Sequence, residues 1–535
     1  MHVNAHDTRV GERPDRGGWR GQITELICIF ALIFLCYGMP PPDVNEAHYL
    51  VKAKHYWNPS WCASDVFLDS ADAHPVFYWL FGWPTLWVSL TTAAWCGRLV
   101  VWAAVTWSWQ RLSWSIVPYR YASVLTAAWF LALNNTCQLA GEWAVGGLEA
   151  KAAAYALVFW ALGSLVSGRW NWTWIALGAA TALHVLVGGW SLIAVAIAWL
   201  LAGADRPAVR SMWPGLLVGG GLALAGLLPA LWLTADVDRA TASTANMIYV
   251  FDRLSHHLVF HSFAPDRLLV FGALLVIWMM LSWSVVGSTP WLWLHRFAQS
   301  ALMIAIVGIG LDLLLLYQRA LAAELLRFYW FRLVDVAVPL AIAFGVPLAI
   351  DCWSGTRRSA QRALWGLAVA APLLLLGTAF VERQLDFRPG GIVQSSPAAF
   401  WTRGSRVART GAWQDICRWV ADHTDPQARF LTPRNQQTFK WYAQRSEVAC
   451  WKDIPQDAAG IVAWSQLLRD IYPLAVIERG LGAWSDDQLR AIAAQQHVHY
   501  ILVDRAYTKR RLGFRRVYPE SPRDEAWFEL YEVDP

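Results

Sequence analysis

Asp43 and Glu46 stand three residues apart just beyond the first apolar run of the chain, and His48, Lys52 and His55 follow at helical spacing. A carboxylate at such a place, beside a lipid surface, can take the proton from an acceptor hydroxyl. On a helix His48, Lys52 and His55 share one face, and a cationic face can hold a phosphate head group. A second reading is compatible with the first. Asp43-x-x-Glu46 has capping-box spacing, with Asp43 as the cap and Glu46 reaching back to its amide. The loop that carries them, residues 40–75, also holds Asp65, Asp69, Asp72 and His74. It is long for a mere connection.

Four further clusters put ionisable groups in or beside apolar runs, where they are costly and are functional candidates by default. Glu142, Glu149 and Lys151 surround Gly146-Gly147-Leu148. They fit a solvated helix end, or Glu149 lining a polar cavity. His184 precedes Gly188-Gly189-Trp190 and fits a buried imidazole bonded to backbone. Arg253, His256, His257 and His261 fit either a solvated amphipathic segment or contact with an anionic group. His257 and His261 are spaced as a metal pair but lack a third ligand nearby. Arg327, flanked by Phe328-Tyr329-Trp330, is placed to hold a lipid-linked phosphate in bidentate fashion. Arg332 and Asp335 are spaced to pair on a helix.

The elements that must position these groups follow from composition. Of 535 residues, 56% are apolar, 16% are charged and 36 are Trp. Long apolar runs recur between residues 22 and 381, as membrane spans do. Disorder, a disulfide scaffold and nucleic-acid binding are excluded by apolar content, by 8 Cys in the whole chain and by a net charge of +5 without a basic cluster. Residues 1–382 carry 44 charges and residues 383–535 carry 39 in less than half the length. The expected plan is a tail (1–21), an α-helical polytopic membrane domain of about 11–13 spans (22–382) and a small α/β extracytoplasmic domain (383–535). The apolar runs include a single stretch at 76–93 and one at 172–203 that reads either as a hairpin broken at Gly188–Gly189 or as one span plus a re-entrant piece.

Arg9, Arg13, Arg16 and Arg20 before the first run place the N-terminus in the cytoplasm by the positive-inside rule. Arg357, Arg358 and Arg362 place their loop on the same side, so the C-terminal domain is expected outside. Helices are predicted at Trp413–His423 and Asp487–Gln495, and strands at Arg429–Leu431, His499–Val503 and Phe528–Val533. Cys417 and Cys450 both fall in this domain and could pair.

The layout resembles the GT-C superfamily of integral membrane glycosyltransferases. The resemblance rests on Asp43 and Glu46 after the first span, Arg327 or Arg332 near a late span, and a soluble domain after the last. The chain also resembles a group of uncharacterised bacterial multispan proteins with Asp-x-Asn-Glu-x-His-Tyr at Asp43–Tyr49, Phe-Tyr-Trp with Phe-Gly-Trp at Phe77–Trp83, and Trp-Lys-Asp at Trp451–Asp453. The GT-C resemblance implies transfer of sugar from a polyprenyl-phosphate carrier to an acceptor at the outer face of a bacterial cytoplasmic membrane. It implies inversion, with Asp43 or Glu46 as base and Asp65 or His74 as second choices. His48, Lys52, His55, Arg253, His256, His257, Arg327 and Arg332 would bind the phosphate, and no metal or other cofactor is required. A transporter of a polar or lipid-linked solute and a non-catalytic envelope assembly protein are the alternatives. Most ionisable groups fall at the ends of spans, which favours an enzyme over a transporter.

Overall fold

The computed structural model describes residues 18–117, 119–235, 237–285, 288–353, 358–385, 403–521 and 526–533. Arg9, Arg13, Arg16 and Arg357, on which the expected orientation partly rests, lie outside them, as does most of the junction between the two expected domains.

The chain is mostly helical. Among the described residues six helices are long and apolar enough to cross a membrane: Gly18–Tyr37, Trp213–Trp232, Pro265–Ser284, Thr289–Leu314, Val334–Cys352 and Arg358–Arg383. A seventh is added if Val185–Leu201 and Gly203–Ser211, bent by 113°, form one span. That is fewer than the 11–13 expected. Ala122–Thr136, Ala150–Val166 and Trp170–Leu183 are shorter than the ~20 residues a straight span needs. Leu90–Ile116 is long enough, with 27 residues, but carries Arg98, Gln110 and Arg111.

Two apolar stretches break where local chemistry requires it. The run at 76–93 is not one helix. Pro75–Gly82 passes into a tight turn at Trp83–Leu86, where Pro84 has no amide to donate. A new helix then starts behind Ser89, whose hydroxyl accepts from the Thr92 amide at 3.1 Å. The run at 172–203 breaks at His184, not at the glycines. His184 ends Trp170–Leu183 and caps Val185–Leu201, its Nδ1 accepting from the Val187 amide at 3.3 Å. Gly188 instead allows close helix contact, since a Cβ there would lie 2.1 Å from the Thr181 nitrogen.

Residues 137–149 run without regular structure through the buried interior, between Ala122–Thr136 and Ala150–Val166. Buried amides need partners, and three polar side chains supply them. Asp335 accepts from the amides of Leu139 (2.6 Å), Ala140 (2.9 Å) and Glu142 (3.0 Å). Asn134 accepts from Ala144 and donates to the Glu142 carbonyl, both at 3.0 Å. Glu46 accepts from Leu148 at 2.6 Å. Asp335 thus pairs with backbone amides and not with Arg332. Glu46 also accepts from the Asp43 amide at 2.8 Å, which is one half of the expected capping box, but Asp43 is not the cap, since Asn45 takes that position without a side-chain bond. The charge of Glu46 is met by Arg98, and both side chains are fully buried.

The C-terminal segment forms a five-stranded sheet ordered β2-β1-β3-β5-β4. The strands are β1 Arg429–Leu431, β2 Ser446–Glu447, β3 Tyr500–Asp504, β4 Arg515–Tyr518 and β5 Phe528–Glu532. β1 runs parallel to β2 and β3, while β5 is antiparallel to β3 and β4. Strand side chains alternate between faces. Ile501 and Val503 therefore meet Trp464, Leu468 and Leu489 on one face, and Leu502 meets Trp413, Ile416 and Val420 on the other. The helices at Arg403–His423 and Asp486–Gln496 match the expected ones, and Ala458–Ile471 is additional. Cys417 and Cys450 are both free and lie in different surroundings, so they are not a pair.

Removing one member of a buried ion pair leaves the other uncompensated, at a cost of about 3–5 kcal/mol. Arg98→Met is therefore expected to lower the melting temperature of the detergent-solubilised chain sharply, and Arg98→Met with Glu46→Gln to recover part of the loss. An Arg98→Met melting curve like the wild type would show that this pair does not hold the loop.

Candidate functional site

One cavity of about 640 Å³ gathers most of the residues singled out above. It lies where the first loop, residues 140–151, the segment 249–257, the turn at 327–332 and residues 452–456 of the C-terminal domain meet. His48, His74, Glu149, Arg253, His256, His257, Arg327 and Arg332 all line it. They come from four separate parts of the chain.

The other predicted residues are held elsewhere. Glu46 is committed to Arg98, Leu148 and the Asp43 amide, which corrects its assignment as a base. Asp43 is half-buried and its carboxylate accepts from the Val44 amide at 3.0 Å. It is not in the cavity wall. The Lys52 ammonium points into the first loop, on the carbonyls of Leu68 (2.6 Å) and Ser70 (2.5 Å), with Asp72 at 3.4 Å. His55 bonds the Trp61 carbonyl at 2.8 Å and Asp69 at 3.1 Å. The expected cationic face therefore does not form, because Lys52 and His55 fasten the loop to itself. Asp65 accepts from the amides of Phe67 and Leu68 and faces Lys440 at 3.3 Å. His257 bonds the Ala140 carbonyl while His261 bonds Asp312 at 2.9 Å, so the spaced histidines have separate partners.

Inside the cavity the charges divide into two groups. Arg332 meets Glu142 at 3.1 Å, and Lys151 lies 3.5 Å from Glu142 and 3.6 Å from Glu149. These two cations and two carboxylates offset one another. Arg253, Arg327 and Lys452 form no ion pair with a carboxylate among the described residues. Arg327 donates to the Asn246 side chain at 2.7 Å, and Arg253 donates to the Trp451 carbonyl at 3.1 Å. Burial lowers the proton affinity of the Lys452 ammonium, and Arg253 nearby lowers it further.

Glu142 Oε1 is buried without a hydrogen-bond partner among the described residues, and Glu149, the other carboxylate of the wall, is held only by long contacts. Glu149 caps Ala150–Val166 by position, yet its side chain makes no capping bond. Its closest donor is the Asn45 amide nitrogen at 3.4 Å. Burial raises its carboxyl above the usual range, Lys151 opposes this, and Asp43 adds to it. His74 and His184 stack with ring centres 4.8 Å apart, and His74 Nδ1 is buried without a hydrogen-bond partner.

The opposite wall is apolar. Leu186, Ile193, Leu227, Leu231 and Trp330 line it. Ile193 and Leu231 are also 42% and 60% exposed, so this wall continues onto the outer surface of the helices. Glu142, Lys151 and His184 were visible in the sequence as costly polar groups, but not as partners of one another. Lys452 carried no signal beyond its place in Trp451-Lys452-Asp453.

The C-terminal domain is fastened to this site through buried charge. Lys440 Nζ lies 2.7 Å from Glu447, 2.9 Å from Asp453 and 3.3 Å from Asp65, and His48 bonds Asp453 at 3.3 Å. Asp65 and His48 belong to the first loop, and the other three residues to the domain. Glu447, Cys450 and Asp453 are close enough together to hold a metal ion. Here the Lys440 ammonium supplies the positive charge that both carboxylates need.

Residues 411–471 match a family described as a domain of unknown function (DUF6798). No curated protein matches the chain. The matched segment contains Lys440, Glu447 and Asp453, and so most of the contact with the first loop.

Burial pushes the Glu447 carboxyl from 4.5 up to about 7, against the pull of Lys440. An acid raised in the folded state adds stability that is complete below its ordinary value and is lost as pH rises through the folded one. Asp453 works oppositely. Burial alone would raise it, but Lys440 and His48 outweigh burial and hold it at about 2, so its contribution is lost only in strong acid. Melting temperature is therefore expected to fall between pH of about 5 and about 7.5, and Glu447→Gln to flatten that slope. An equal slope in the variant would place the titration in another group.

Proposed function

We propose that the chain is a GT-C-like glycosyltransferase of the bacterial cytoplasmic membrane, moving sugar from a polyprenyl carrier to an acceptor at the outer face. One observation carries this reading. A single cavity joins an under-bonded carboxylate, cations without carboxylate partners and an apolar wall that runs onto the outside of the helix bundle. An amphipathic anion with a long apolar tail has that shape and charge. The volume is within the range of about 300–1,000 Å³ usual for small-molecule sites.

In this reading Glu149 takes the role first given to Asp43 or Glu46. Burial raises its proton affinity above that of an ordinary carboxylate, which strengthens it as a general base. Glu149 accepts the proton of the acceptor hydroxyl while that oxygen bonds to the anomeric carbon. The bond from that carbon to the carrier oxygen breaks, its electron pair stays with the phosphate, and attack from the opposite face gives inversion. Arg253 and Arg327 meet the charge that develops on the leaving group, which is where positioned cations act most strongly. Arg332 and Lys151 hold Glu142 and keep the wall rigid. His74 and His184 are placed to meet sugar hydroxyls. Asp43 acts at a distance, through its charge on Glu149.

The test is the full chain in nanodiscs, offered a panel of polyprenyl-phosphate hexoses and scored for carrier binding and for cleavage of the sugar–phosphate bond. Wild type is expected to bind the carrier and release it on transfer. Glu149→Gln is expected to keep binding but to lose about 100-fold or more in turnover. Failure of every carrier lipid to bind would overturn the reading. Passage of intact lipid-linked sugar across vesicles without cleavage would favour transport.

A further inference from the structure

Three half-buried cations around one cavity need an anion to match them. Arg332 and Lys151 are balanced by Glu142 and Glu149. Arg253, Arg327 and Lys452 have no such partner among the described residues, and all three face the same space. Unpaired charge away from water is costly. An occupant with one negative charge leaves most of that cost in place, and one with two or more removes most of it.

Lys452 differs from the two arginines in origin, since the C-terminal domain supplies it. Its neighbours fix its position from both sides. Trp451 holds Arg253, through its carbonyl at 3.1 Å and through its ring, whose centre lies 5.2 Å from the guanidinium. Arg434 covers the same ring at 4.0 Å. Asp453 is anchored by Lys440 at 2.9 Å and His48 at 3.3 Å. The ammonium between these two anchors has no hydrogen-bond partner within the chain among the described residues and faces the cavity. Trp451-Lys452-Asp453 is thus a short arm that carries one cation into the site and holds Arg253 beside it.

We infer that the occupant is a diphosphate-linked polyprenol rather than a monophosphate, and that Lys452 is its third phosphate contact. The inference rests on the lipid-carrier reading above and narrows its donor. Arg253 and Arg327 bind one phosphoryl group at the mouth of the apolar wall. Lys452 reaches the second, on the side of the C-terminal domain. The cavity has room for a diphosphate together with the first isoprene units.

Binding separates the alternatives without knowledge of the sugar. The full chain in nanodiscs is titrated with undecaprenyl diphosphate and with undecaprenyl phosphate, and inorganic diphosphate is used as a competitor. The diphosphate lipid is expected to bind about tenfold or more tightly than the monophosphate, as one extra charge-assisted contact provides. Lys452→Met should remove most of that difference, leave monophosphate binding within about twofold, and leave the melting temperature of the ligand-free chain no lower than that of the wild type. Lys452→Arg should restore it. Equal binding of the two lipids by wild type, or a Lys452→Met variant that still prefers the diphosphate, overturns the inference and leaves the carrier reading intact. Inorganic diphosphate competing as well as the lipid overturns the lipid assignment. Binding of neither lipid overturns both readings.

Discussion

A stretch of irregular backbone inside an apolar helix bundle is stable only if its amides are bonded. Water is not available there, and an unsatisfied buried amide costs roughly 1–3 kcal/mol. Residues 137–149 meet that condition through Asp335, Asn134 and Glu46, which come from three different helices. The rest of the site hangs on this solution. The loop carries Glu142 and Glu149 to the cavity, puts Gly141 against His257, where a Cβ would lie 2.9 Å from the ring, and puts Gly147 against Glu46 at a similar distance. Glycine is required at Gly141 on a second count, since φ there is +77°. Glu46 needs its own neutralisation once buried, and Arg98 provides it. The ion pair, the loop and the cavity wall are one mechanical unit.

That unit explains what the sequence could and could not tell. Apolar runs are a property of contiguous residues, so the helices and most of the sheet strands were legible from spacing and composition. The breaks at Pro84 and Ser89 were present in the sequence but lay within a run whose apolarity overrode them. Glu46 and Glu149 are different. Both are carboxylates beside apolar runs, and nothing local separates them. The difference is made by Arg98, which lies 52 residues beyond Glu46 and far from it in the pattern of the chain. A carboxylate that is fully bonded holds a backbone in place, and one that is not can accept a proton. The choice between those roles is tertiary.

The same holds for Lys52 and His55. Their spacing put them on one helix face with His48, and the helix Glu46–Trp57 does form. The face is turned toward the rest of the loop, so two of the three side chains meet carbonyls and carboxylates of residues 61–72. His48 alone stays at the cavity, because it lies nearer the N-terminal end, where the C-terminal domain arrives with Asp453. By contrast, the histidines and arginines at 253–257 and 327–332 line one cavity. Each was under-matched by acids within its own segment, so each had to find its partner, or its ligand, across the fold.

Charge also explains how two regions of opposite sign lie side by side. The Lys440 network holds one ammonium among three carboxylates, and the cavity holds three cations without carboxylate partners among the described residues. The residues between them are Lys452 and Asp453, adjacent in sequence and engaged on opposite sides. Asp453 meets Lys440 and His48 while Lys452 lines the cavity, so one step of the chain is enough to separate the signs. The separation has a consequence for the order of events. The carboxylates of the network are shielded from the cavity only while the domain is docked. If it lifted away, Asp65 would lose Lys440 and His48 would lose Asp453, and the cavity would lose Lys452 together with the Trp451 contacts that hold Arg253. The contact between the domain and the first loop and the placing of Arg253 and Lys452 at the cavity therefore draw on the same few residues.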